Sequence, residues 1–97
     1  MKKKVHSNVE VFKWNAFKLP KVIRRKLGKE KCYGLYIESE IHLEERLKGK
    51  KELEVLIHEM DHHLHQQLDE ETIIKIARQK AELLWREGYR KVDTNEQ

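Results

Sequence analysis

Between Gly49 and Gln67 the apolar residues Leu53, Leu56, Ile57, Met60 and Leu64 recur at spacings of three and four. This is the 3.6-residue period of an α-helix with one apolar stripe, and it commits the middle of the chain to a helix lying on a core. At about 100° per residue, His58, His62 and His65 fall together on the opposite side. The histidines therefore form a second, polar face that must meet water or a cleft. A second stretch repeats the pattern with Ile73, Ile74, Ala77, Ala81 and Leu84. Asp69 supplies a helix N-cap before it and Gly88 a stop after it.

The segments ahead of these helices are shorter. Residues 5–14 alternate in part between apolar and polar, which suits a strand. Leu19-Pro20 followed by KVIRRKLG predicts a short helix with proline in its first turn and Gly28 as its end. Residues 32–37 and 40–43 are two β-rich runs around a polar Glu38-Ser39 turn. No repeat or linker interrupts the 97 residues, and one small domain is all that this length accommodates. The expected fold is α+β, a small antiparallel sheet packed against two long helices. Residues 1–31 form a basic front, 32–90 the core, and 91–97 a frayed tail.

Charge is unevenly distributed. Residues 1–31 hold eleven Lys/Arg against two Glu, and residues 32–97 hold ten against fifteen acidic groups, so the net +4 conceals a basic front. Such a front could meet nucleic acid or an acidic partner, although no recognition motif accompanies it. No run approaches the roughly 18 apolar residues that a membrane span requires, so no membrane partner is expected. The single Cys32 cannot form an internal disulfide and reads as a small buried hydrophobe. These features together suggest a cytoplasmic protein.

The order His58-Glu59-Met60-Asp61-His62 fits H-E-x-x-H. Imidazoles at i and i+4 project side by side from a helix, close enough to share one metal ion. The glutamate between them can then act as general base on a water that zinc has acidified. Glu59 is thus the candidate catalytic residue, with one Zn2+ per chain. A non-catalytic, metal-stabilised module that binds nucleic acid or an acidic partner through its basic third is the competing reading. A purely structural metal site has no use for Glu59.

VLIHEMDHH, with the β-rich runs before it and the acid-led helix after it, resembles the active-site region of very small bacterial or phage-type zincin metallopeptidases. These are related in plan to the SprT-like and ImmA/IrrE-like peptidases. The resemblance covers about residues 32–90. It implies hydrolysis of a peptide or protein substrate, with His58 and His62 as zinc ligands and Glu59 as base. It also implies an edge strand ahead of the helix that binds extended substrate, a role that falls on residues 40–43 and brings in His42. Asp61 and His63 stand where many relatives have apolar or small residues, and His63 and His65 are expected to be exposed. Tyr36 is the candidate phenol for contacting substrate; Tyr89 lies too far along the second helix.

Catalytic zinc usually takes three protein ligands. His65, Asp69, Glu70 and Glu71 are the candidates near the helix end. His65 rises roughly 10 Å above His58 on a continuous helix, too far to share an ion. Projection places Glu70 at the centre of the second apolar stripe, where a carboxylate is costly unless paired or metal-bound. Glu71 lies near its edge and is the fallback. Glu70 can reach the histidines only if the chain turns between Gln66 and Asp69, and no glycine or proline marks that turn. The expected site is gluzincin-like: His58, His62 and Glu70.

Overall fold

The computed structural model describes residues 18–92; the strand expected over residues 5–14 and the end of the tail lie outside them. Three strands and two helices follow in order: β1 (Lys21–Arg25), β2 (Gly34–Ile37), β3 (Glu40–Glu44), α1 (Gly49–Leu64) and α2 (Glu70–Arg86). The α+β class is as expected, but the sheet is mixed. Its order is β1-β3-β2, with β2 antiparallel and β1 parallel to β3.

β1 replaces the short helix expected after Pro20. Five residues cannot offset the cost of nucleating an isolated helix, whereas β-branched Val22 and Ile23 suit a strand. Pairing with β3 then satisfies the backbone, with Val22 opposite Ile41 and Arg24 opposite Leu43. The Glu38-Ser39 turn is present, both residues having positive φ, 49° and 67°. This matches the twist of a two-residue hairpin and is costly for non-glycine residues.

Insertion of β3 between the other two strands also corrects the expected edge role of residues 40–43. β3 is central and its alternate side chains Ile41 and Leu43 are fully buried against α1. Within the described sheet, β1 and β2 are the outer strands.

The loop from Lys26 to Tyr33 is fastened by a carboxylate. The backbone N–H of buried Leu27 donates to Oε1 of Glu44 at 2.8 Å, and Arg46 donates to Oε2. The Leu27 N–H, more than Arg46, holds the Glu44 carboxyl below its ordinary 4.5. A carboxylate with a depressed folded-state pKa stabilises the fold above pH 4.5, and that contribution disappears as pH falls through the lowered value. Glu44→Gln, which keeps one oxygen for Leu27, is therefore expected to flatten the fall of melting temperature with acidification below pH 4.5. Thermal denaturation of both proteins from pH 6 to pH 3 checks this; parallel curves would refute the role.

α1 packs on β2 and β3, and α2 packs only on α1. α1 is thus buried on two sides, which shifts its covered residues away from the predicted stripe. Val55, Glu59 and Asp61 are buried, whereas Leu64 is 44% exposed. On α2 the stripe is as predicted, with Ile73, Ala77 and Ala81 buried. α1 ends at Leu64 and α2 starts at Glu70, so the chain turns ahead of Asp69, beginning at His65 and slightly earlier than expected. His65 N–H closes on Asp61 O at 2.7 Å and Leu68 N–H on His65 O at 3.1 Å. Asp69 then caps α2 by accepting from the Thr72 N–H at 2.9 Å. Antiparallel packing of two helices and one good cap make the turn without glycine or proline.

Candidate metal centre

The turn at residues 65–69 brings the first residue of α2 back onto the last turns of α1. Glu70 Oε1 lies 2.8 Å from His62 Nε2, Glu70 Oε2 lies 3.0 Å from His58 Nε2, and the two Nε2 atoms are 3.2 Å apart. One ligand atom from each residue falls within a span of 4.8 Å. Ligands about 2.0–2.1 Å from a tetrahedral zinc stand about 3.3 Å from one another, so the spacing fits that ion. The donor set is also chemically suitable: two imidazole nitrogens facing each other have a single carboxylate to share, and a cation satisfies all three at once.

Glu70 holds this place for a reason other than the one anticipated. Its side chain is 61% exposed, so no desolvation cost compels it to find a partner. The apolar stripe of α2 ends at Ile73, and the turn before it emerges at the mouth of the cleft. Glu71, the fallback ligand, points away and meets Lys75 at 3.8 Å across one helical turn.

Glu59 is 7% exposed and lines the same pocket as the three candidate ligands. Burial pushes its carboxyl up to about 7; neighbouring His62 opposes the shift and Glu70 adds to it. Its burial depends on Gly34. A Cβ at Gly34 would stand 2.7 Å from Val55 Cγ1 and 3.0 Å from Glu59 Oε2, so β2 can approach α1 only without a side chain there. Gly34→Ala must push back a packed valine, and a loss of about 1–3 kcal/mol is expected from overpacking. Urea unfolding would register it, and an unaltered midpoint would show that β2 has room to spare.

Tyr36 does line the pocket, as expected, while His42 does not. His42 alternates with Ile41 and Leu43 and so lies on the sheet face away from α1. There Arg25 Nε donates to its Nδ1 at 2.8 Å and Glu40 sits 3.1 Å from its Nε2. This network, on the wrong side of a central strand, excludes it from substrate contact in the cleft. His63 also departs from expectation. It is half-buried, with Nε2 3.2 Å from Lys18 O and Nδ1 2.7 Å from Tyr36 Oη. Since a carbonyl only accepts, Nε2 carries the proton and the Tyr36 hydroxyl donates to Nδ1. Tyr36 is thereby oriented by a histidine on the adjacent turn from the ligands.

Asp61, Gln66 and the β2 backbone were missed from the sequence. Asp61 is 1% exposed, with Lys80 Nζ at 2.6 Å from Oδ1 and His65 Nε2 at 4.0 Å, while Oδ2 has no partner among the described residues. It fastens α2 to α1 beside the site. Gln66 and Gly34–Leu35 complete the pocket wall. Only the α1–α2 turn, which brings Gln66 back over the histidines, could have signalled any of these. Comparisons with protein-family models, curated proteins and solved structures find no match to this chain.

Proposed function

We propose that the protein is a zinc-dependent peptidase of the zincin type. The observation that carries this reading is the convergence of His58, His62 and Glu70 with the buried Glu59 carboxyl in the same pocket. His58, His62 and Glu70 would hold zinc, which when bound would supply a Lewis acid and acidify a water. Glu59, with its carboxyl pushed to about 7 by burial, is suited to take a proton from the nucleophile and return it to the leaving amine. β2 presents the outer edge of the described sheet beside the pocket, where extended peptide backbone can pair with it. Tyr36, held by His63, stands at the pocket wall as a polar contact for that peptide.

Metal analysis of purified protein is expected to give one zinc per chain, and a chelator is expected to remove peptide-hydrolysing activity that added zinc restores. Absence of zinc, or hydrolysis indifferent to the chelator, would overturn the proposal.

A non-catalytic metal-stabilised module is the second reading, and one observation favours it: Lys18, Lys21, Lys26, Lys29 and Lys31 are all exposed around β1 and the following loop. If these bind nucleic acid, affinity falls steeply with salt. Glu59 argues for the enzyme, because a structural site does not benefit from a buried carboxylate beside its ligands. No helix among the described residues is long and apolar enough to cross a membrane.

A further inference from the structure

The apolar stripe that the sequence assigns to the core is only partly covered by the described residues: Leu56 and Met60 touch the Ile41–Leu43–Val55 cluster but remain half-buried. Leu56, Met60 and Leu64 line a groove of about 600 Å3 whose other walls are Val22 on β1 and Leu83 on α2. β1 meets α1 through the Arg24–Glu52 ion pair at 3.0 Å and otherwise stands off both helices, so Val22 overlooks open space. Val22 is 39% exposed, Leu64 44% and Leu83 60%. Asp61 and its partner Lys80 supply the groove's only charged lining.

The chain itself carries what would fill it. The buried hydrophobic residues of the described fold are all aliphatic. Both phenylalanines of the protein, Phe12 and Phe17, and one of its two tryptophans, Trp14, lie within residues 1–17. Residues 9–17, VEVFKWNAF, are apolar at six of nine positions. The described chain starts at the groove: Leu19 and Pro20 form part of its rim, and Lys18 O is bound to His63 next to Leu64. From there, nine residues reach up to about 30 Å when extended, and α1 in its whole length spans about 24 Å. The segment is long enough to lie along the entire groove.

We propose that residues 9–17 of the same chain cover this groove, their aromatic side chains supplying the apolar fill. The apolar face of the helix bearing His58, Glu59 and His62 is then closed from behind by the chain's own N-terminal segment. The inference does not depend on the peptidase reading.

Met60 is the natural reporter, since the only other methionine is Met1. In the full chain, an aromatic ring packed on the Met60 methyl displaces its NMR resonance by ring current. Replacing Phe12, Trp14 and Phe17 together by leucine is expected to move that resonance markedly, and replacing them by lysine to raise the fluorescence of an apolar-surface dye several-fold. Leu83→Lys, at an exposed position that the fold does not need, is expected to do both. An unmoved Met60 methyl in the triple leucine variant, with helical circular dichroism intact, would overturn the proposal. So would sedimentation as a dimer that Leu83→Lys dissociates while the aromatic substitutions leave Met60 unmoved, because the occupant would then be a second copy.

Discussion

Glu59→Gln is expected to lower peptide hydrolysis by about 10²–10⁴-fold while zinc stays bound at one per chain. The range is what a positioned general acid–base typically contributes. The reason lies in the placement of Glu59 rather than in the motif alone. Its carboxyl is buried between Val55 and the Gly34 backbone, in the same pocket as His58, His62 and Glu70 but outside the ligand cluster itself. Glutamine has the same shape, keeps the packing against Gly34, and lacks a basic oxygen. It also replaces a group whose ionisation is penalised by burial, so the metal-free variant is expected to be at least as heat-stable as the parent. Turnover, zinc content and melting temperature measured on one preparation separate the possibilities. Loss of turnover together with loss of zinc would mean that Glu59 holds the site's shape rather than moving protons. Undiminished turnover would remove Glu59 from the mechanism altogether.

The second large effect concerns Glu70. Glu70→Ala takes away a carboxylate that touches both imidazoles, at 3.0 Å and 2.8 Å. Zinc affinity is expected to fall by more than the roughly 10–100-fold that follows loss of an outer-shell partner, since here a ligand itself is removed. Glu71→Ala changes the charge of the same helix end equally and removes only an exposed contact to Lys75. It is expected to leave zinc affinity within about twofold, as befits a change at an exposed surface pair. Competition with a chromogenic chelator measures both. Equal losses would assign the effect to helix-end charge and not to coordination.

How far the sequence reached can be judged element by element. The helix of the H-E-x-x-H motif was legible because sixteen residues of one period are a strong signal, and the His58/His62 pairing follows from helix geometry alone. Glu70 was legible as well, but for a reason that does not hold. Projection correctly set it in line with Ile73, yet position along the stripe could not reveal that the stripe ends in solvent. β1 was misread because a proline, a glycine and a few basic residues mimic a short helix, and only pairing with β3, nineteen positions later in register, decides otherwise. His42 and Tyr36 sit on neighbouring strands with identical alternation, and nothing local says which sheet face α1 will cover. The ion pair between buried Asp61 and exposed Lys80 joins residues 19 apart on different helices, a contact set by helix packing.

If the site holds zinc as proposed, the bend at residues 65–69 links two equilibria. His58 and His62 ride on one helix and Glu70 on the next, so full coordination exists only while the helical hairpin is closed. Zinc binding and hairpin closure must then strengthen each other by the same free energy. Any change that loosens the seam between α1 and α2, even at Asp61 and Lys80, taxes zinc affinity without touching a ligand. Conversely, the melting temperature becomes a function of free zinc concentration, rising by mass action as the ion is added. For a chain this small, the ion would act as a cross-brace as well as a reagent.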